Sequence, residues 1–198
     1  MLGQTKEIEW HVPMMVIKVS IVLISDAGAV ASSITGVGTQ RWTPTGTAYG
    51  EDKGIFAYGS NQSSTRYNMS NLVSNVGVIS SDVTGVGTAR SAAGSCTYGT
   101  DKAICAYGST GSYVSVSNLI SNVGVVSTDV TGVGTARASP AGVGYGSDKG
   151  IFAFGDSGPG NYGNISNLVS NSGVIATDGT GVGTGRSIIQ QGAGYSTA

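Results

Sequence analysis

The sequence Thr-Gly-Val-Gly-Thr-Ala-Arg at positions 84–90 decides how the chain is divided into units, because nearly the same motif occurs three more times. The copies lie at 35–41, 131–137 and 180–186, and the arginines that end them are 49, 47 and 49 residues apart. This period is longer than that of most solenoid repeats and is typical of sheet-forming arrays. The sequence therefore predicts a single repeat domain over residues 1–198.

The composition favours an all-β protein with short connections. The chain has 33 glycines but only 4 prolines, and its 39% hydrophobic residues are sufficient for a core. With 10 basic and 11 acidic residues, the net charge of −1 provides no field that would attract phosphate or anionic lipid. We therefore expect neither a nucleic-acid partner nor membrane insertion.

The N-terminal apolar run at 14–24 does not change this expectation. Lys18 and Ser20 interrupt the run, which is too short to cross a bilayer as a helix. Glu7 and Glu9 occupy the region where a signal peptide carries basic residues, which disfavours a cleaved signal.

One complete unit, residues 90–136, is divided by turn residues into four short predicted strands. Strands a to d cover 91–98, 102–107, 114–121 and 125–130. Strand b is apolar almost throughout, which is typical of a strand covered on both faces. The Ser, Thr and Asp residues of strand d suit an exposed outer strand. Four antiparallel strands in a unit of this length predict one propeller blade.

Counting the units predicts a small β-propeller of four blades. Three blades lie at 41–89, 90–136 and 137–185, and the fourth is split between 186–198 and 5–40. A strand at 187–195 would pair with a degenerate strand at 6–11, so that the N-terminal strands close the last blade and remove an exposed edge. An open arc that meets further copies as a swapped oligomer or filament is the alternative.

The unit resembles the kelch blade. Arg90 opens its first strand, and the hydrophobic second strand Lys-Ala-Ile-Cys-Ala-Tyr ends at Gly108, as in kelch repeats. The resemblance covers nearly the whole chain. It implies a propeller of kelch-like blades.

The repeats are also similar to those of structural proteins from environmental tailed bacteriophages. The motifs that show this similarity are Ser-Asn-Leu-Val-Ser-Asn-x-Gly-Val, Thr-Gly-Val-Gly-Thr-Ala-Arg and Tyr-Gly-x-Asp-Lys-Gly-Ile-Phe. The similarity implies a virion surface protein, either a tail-fibre or receptor-binding module or a capsid decoration. Its implied partners are other virion proteins and a host surface glycan or protein. A cellular kelch-like protein-interaction propeller and a carbohydrate-binding or carbohydrate-active propeller are the alternatives.

Few residues suit catalysis. His11 is the only histidine, so the chain cannot build a His-based triad or a multi-His metal site. The glycine-rich connector lacks the Lys-Ser/Thr of a P-loop. An aspartate recurs before the Thr-Gly turn, as Asp82, Asp129 and Asp178. One carboxylate per unit provides too few ligands for Ca²⁺, which binds about 6–8 oxygen atoms. We therefore predict a non-enzymatic protein without a cofactor or metal.

Two sets of charged residues repeat, and we expect both to be structural. An Asp-Lys pair next to the a–b turn would hold that turn, with a ring of charges for a sugar or an ion as the alternative. The arginines would bond loop carbonyls or stack on a tyrosine such as Tyr98 or Tyr145, with an acidic sugar or a virion protein as the alternative ligand. The sets are Asp52-Lys53, Asp101-Lys102 and Asp148-Lys149, and Arg41, Arg90, Arg137 and Arg186.

The repeated asparagines are expected at turns and corners, where Asn makes local hydrogen bonds. The b–c loops differ between units while the strands repeat, which favours these loops for contacts with partners. The predicted contact residues are Tyr67, Tyr113, Asn161 and Tyr162.

The only two cysteines lie in one unit. If the a–b hairpin is centred on residues 100–101, Cys96 and Cys105 face each other and a cross-strand disulfide becomes feasible. Two buried thiols are the favoured alternative, because Cys105 stands where the other units have phenylalanine.

Overall fold

The computed structural model describes residues 28–30, 32, 36–187 and 192, which form an all-β structure. The described strands are β1 (Thr45–Tyr49), β2 (Lys53–Ala57), β3 (Ser70–Val73), β4 (Gly94–Tyr98), β5 (Lys102–Ala106), β6 (Ser117–Ile120), β7 (Ala141–Tyr145), β8 (Lys149–Ala153) and β9 (Ser166–Val169). They form three antiparallel sheets in the orders β1-β2-β3, β4-β5-β6 and β7-β8-β9. No described helix is long and apolar enough to cross a membrane. The all-β prediction is confirmed, and one sheet falls in each of the three complete units.

The predicted closing pair lies outside this description. Residues 6–11 are not among the described residues, and of 187–195 only Ser187 and Gly192 are.

The turn between the first two strands of each unit begins with a glycine. In the second unit Tyr98 pairs with Lys102, which leaves three residues in the turn. Gly99 and Thr100 have φ values of 57° and 71°. Glycine enters this left-handed region without the steric cost that other residues incur, so it suits the start of the turn.

This register overturns the predicted cysteine pair. Cys96 lies opposite Ile104, and Cys105 lies opposite Ser95, so the pairing of the two strands is shifted by one residue from the expected register. Since successive side chains alternate between faces, the two thiols point to opposite sides of the sheet. Both cysteines are free and buried, and burial raises the pKa of both thiols, that of Cys105 to about 12.

The predicted fourth strand of the described units is not a regular strand. In the second unit, residues 125–130 meet β6 only through isolated bridges. Side chains interrupt the ladder, because the Leu119 N–H donates to Ser127 Oγ at 2.9 Å and the Ser127 carbonyl accepts from Asn118 Nδ2 at 3.0 Å. Each described unit therefore has three strands and an outer segment that polar side chains hold in place.

The hydrophobic core lies between the sheets. The first strands β1, β4 and β7 are neighbours in space. Their approach requires a small residue at Gly142, where an added Cβ would stand 2.1 Å from the Ser95 carbonyl oxygen. One core cluster joins Tyr49, Ile55, Ala57 and Tyr58 to Ala103, Cys105 and Ile120, and the other joins Cys96, Tyr98, Ile104, Ala106 and Tyr107 to Phe152, Val169 and Ile175. Each cluster thus combines two neighbouring units.

The two outer sheets each keep an apolar side chain exposed. The side chains of β5 in the middle sheet are largely buried on both faces, as predicted for strand b. Phe56 of β2 is 41% exposed, although Phe152 at the same position in the third unit is 0% exposed. Leu168 of β9 is 50% exposed. The described residues therefore cover the middle sheet but leave the outward faces of the first and third sheets open.

Candidate functional site

A stacked arginine lies at both junctions between the described sheets. The Arg90 guanidinium carbon is 3.9 Å from the ring centroid of Tyr58, and Arg137 is equally far from that of Tyr107. Both arginines are 0% exposed. A guanidinium over a ring face attracts most strongly where water is excluded. The stacks therefore join each unit to the one before it.

The stacking partners differ from the expected Tyr98 and Tyr145, which end first strands. Tyr58 and Tyr107 instead follow the second strands, with φ values of 60° and 64°. This left-handed step coincides with the end of the strand, where the ring meets the arginine of the next unit. Tyr98 packs beside Gly173, where an added Cβ would stand 2.9 Å from the ring.

Hydrogen bonds also tie each arginine to its own unit. Arg137 Nη2 donates to Asn167 Oδ1 at 2.7 Å, and Asn167 Nδ2 donates to Asp178 Oδ1 at 2.9 Å. Asp178 Oδ2 accepts from the Thr135 backbone N–H at 3.0 Å and from its hydroxyl at 2.6 Å. Since Thr135 lies in the connector just before Arg137, this network links both ends of the unit.

The other two described units repeat the network, with one difference in the second. Arg90 Nη2 lies 3.4 Å from the Cys105 carbonyl, and the buried Asn118 Oδ1 has no partner among the described residues. The asparagines lie buried in β3, β6 and β9, so the prediction that they form turns or corners is wrong for them. The corresponding residues are Thr39, Asp82, Asn71 and Arg41 in the first unit and Thr88, Asp129, Asn118 and Arg90 in the second.

The network determines the ionisation of its aspartates. Burial raises the pKa of Asp129, but hydrogen bonds from Thr88 and Asn118 outweigh that effect and bring the pKa below its ordinary value of 3.8. The pKa values of Asp82 and Asp178 are lowered in the same way. These carboxylates are engaged in holding the connectors. In the described part of the chain no group of three or more His, Cys, Asp or Glu residues is placed to hold a metal ion.

The repeated Asp-Lys pairs lie beside the first hairpin turns. Their N–O distances are 2.9, 3.1 and 3.1 Å in chain order. Asp101 also accepts a hydrogen bond from Asn122 Nδ2 at 2.9 Å, and Asp148 accepts one from Asn171 Nδ2 at 3.2 Å. The pairs Asp52-Lys53, Asp101-Lys102 and Asp148-Lys149 therefore brace the turns.

The four predicted contact residues do not form one site. Tyr113 donates to Asp156 Oδ2 at 2.9 Å and so links two units. The Tyr67 hydroxyl accepts from Asn61 Nδ2 at 3.3 Å within its own loop. In the third unit, two of the predicted residues are exposed: Asn161 and Tyr162.

A cleft of about 250 Å³ lies on the first unit, next to the Tyr67 loop. Backbone hydrogen bonds of 2.6 and 3.0 Å between Trp42 and Ser60 join its two walls. Sequence reasoning missed this cleft, although one signal was present, since Ser91 and Ala138 occupy the position of Trp42 in the other units. The lining residues are Gln40, Trp42, Asn61, Gln62 and Ser63.

Exposed valines repeat at the corner after the third strand. They are 63–72% exposed, far more than the apolar residues between the sheets. Sequence reasoning also missed this surface, because valine in a strand-rich repeat suggests burial. We call these residues the valine corners: Val76, Val78, Val123, Val125 and Val174.

Comparison with known proteins supports the fold only. No protein-family model matches the chain, and no curated protein matches its sequence. A solved structure described as "Structure of YjhT" is similar, with a TM-score of 0.59 and 12% identity. The match covers 80% of this chain and 50% of that one, so this chain spans about half the length of its structural neighbour.

We predict that Arg137→Lys lowers the free energy of unfolding by about 2 kcal/mol or more, because a lysine loses both the flat stack and the forked hydrogen bonds. Chemical denaturation measures this change. The matched control is Arg66→Lys, since Arg66 is partly exposed and its guanidinium donates to the backbone carbonyls of Ser109 at 2.9 Å and Ser64 at 3.2 Å. Equal losses in the two variants would contradict a special role for the buried stack.

We predict that acid weakens the fold partly through Asp129. Its pKa in the folded state lies below the ordinary value of 3.8. The ionised carboxylate therefore contributes stability at pH values above 3.8, and this contribution is lost as the pH falls through the folded-state pKa. Asp129→Asn should cost about 1–2 kcal/mol at neutral pH and reduce the loss of stability in acid. Melting temperatures across the pH range test this, with the exposed Glu51→Gln as control. Parallel pH curves for Asp129→Asn and the parent protein would refute the prediction.

Proposed function

We propose that this chain is a closed propeller of four kelch-like blades and serves as a non-enzymatic surface module of a phage particle. The observation that carries the proposal is that the repeated residues fall into two groups, one inside the framework and one on the surface. The repeated Arg, Asn, Asp and Thr side chains bond to one another inside the framework. The valine corners point outward instead, which suits packing against neighbouring proteins of an assembly.

Three observations support closure. The first strands of successive units are neighbours, as expected around an axis. Gly192 continues this series, since an added Cβ there would stand 3.0 Å from Val143 Cβ in β7. The outward faces that hold Phe56 and Leu168 are apolar and open, so a fourth blade at 186–198 and 5–40 would bury both.

The proposed role on a particle rests on the similarity of the repeat sequences to those of phage structural proteins, together with the exposed valine corners. The corners would contact other virion proteins, and the variable b–c loops would meet a host surface glycan or protein. The location is the particle surface, on either the tail or the capsid.

We predict that Phe56→Ala costs about 3–5 kcal/mol, like Phe152→Ala, because closure buries both rings. Val76→Ala, at an exposed corner, is the control and should cost much less. Denaturant unfolding measures stability, and light scattering of the native protein should give the mass of one chain. A small effect of Phe56→Ala would refute closure, and a mass of two or more chains would favour the swapped or filamentous arrangement.

Antibodies raised against the purified chain test the proposed location. Cells and virus-sized particles from the source culture are separated on a density gradient and viewed after immunogold labelling. Gold at the tail or capsid surface is the expected result. Gold confined to cells would refute the virion role and favour a cellular interaction propeller.

A further inference from the structure

We propose that the cleft lined by Gln40, Trp42, Asn61, Gln62 and Ser63 binds one neutral sugar ring of a polysaccharide. The inference rests on the proposed surface-recognition role and names its ligand class and binding site. Of the four contact residues predicted from sequence, only Tyr67 adjoins this cleft, through its hydrogen bond with Asn61.

Size and shape support a single ring. The cleft volume of about 250 Å³ is slightly below the usual range of ligand pockets, about 300–1,000 Å³. A short, open cleft of this kind can hold one ring of a longer chain while its neighbours extend into solvent. It would not enclose a whole oligosaccharide.

The lining supplies the two kinds of contact that a sugar needs. Trp42 is partly exposed and offers a flat apolar surface for the C–H face of the ring. Amide groups both donate and accept hydrogen bonds, which matches the hydroxyl groups around the ring. Among the described residues, no hydrogen bond engages the side chains of Gln40, Gln62 or Ser63, so these three are free to bind.

Asn61 has a different role, because its side chain supports the loop. Its Oδ1 accepts from the Thr65 N–H at 2.8 Å, and its Nδ2 donates to the Tyr67 hydroxyl at 3.3 Å. The loop wall is therefore held in position before a ligand arrives, which reduces the entropic cost of binding.

The absence of charge in the lining selects the class of sugar. None of the five lining residues carries a charge. The adjacent Arg41 is buried and donates to the Met69 carbonyl at 2.8 Å and to Asn71. A carboxylate or sulfate on the sugar would lose water without gaining a cationic partner, so neutral sugars are favoured.

Most of the residues that line the cleft are not repeated in the next two units. Gln40 directly precedes the repeated arginine, and the next two units have Ala89 and Ala136 at this position. Residues that depart from the repeat are those that the shared framework does not require. One such site is therefore expected among the three described units.

The test is native gel electrophoresis of the full chain through gels that contain dextran, mannan or galactan, with alginate as the acidic comparison. We expect at least one neutral polysaccharide to retard the protein. Trp42→Ala should weaken binding about tenfold or more, and Trp42→Phe should weaken it less because a ring remains. Gln62→Ala should weaken binding several-fold without removing the aromatic surface. The exposed Thr177→Ala in the outer segment of the third unit, outside the b–c loops, is the control and should bind normally.

Three results would overturn the inference: no retardation by any of the neutral polysaccharides, retardation by alginate alone, or unchanged binding in both Trp42→Ala and Gln62→Ala. Melting curves establish that each variant is folded, and Gln62→Ala carries the test if Trp42→Ala is not. The outcome is separate from the virion proposal, because immunogold labelling of particles does not depend on sugar binding.

Discussion

The arginine stacked between neighbouring sheets is the interaction on which the rest of the structure depends. Burial lowers the pKa of Arg137, because the charged guanidinium loses contact with water. The Tyr107 ring of the preceding unit and Asn167 of its own unit both contact the guanidinium and offset that cost. Each stack therefore sets the position of one unit relative to the next, and the connector follows because Thr135 bonds to Asp178 in the same network.

The location of the core has a further consequence. Each cluster of buried side chains combines residues from two units, so a single sheet has no complete core of its own. Stability in such an arrangement depends on the interfaces between neighbours, and an end unit lacks one of them. The exposed Phe56 and Leu168 mark these two ends. Covering these two apolar faces is the physical reason for the closure that we propose.

The sugar recognition that we propose depends on departures from the repeat. The polar network uses the residues that all three described units share, which leaves little freedom for a ligand at those positions. Trp42 and the loop at 61–63 differ from their counterparts and are not part of that network. The valine corners are a different case, because they repeat yet remain exposed, and this is why we propose them as contacts with neighbouring proteins.

The repeat period, the unit boundaries and the all-β class follow from sequence, because they depend on local turn chemistry and on counting. The hairpin register did not, since two-residue and three-residue turns differ by one position and that difference moves Cys105 to the opposite face from Cys96. The arginine partners, the buried asparagines and the cleft at Trp42 also required tertiary structure. Each joins residues that are far apart along the chain, and only packing of the sheets decides which of several similar tyrosines, asparagines and loops meet.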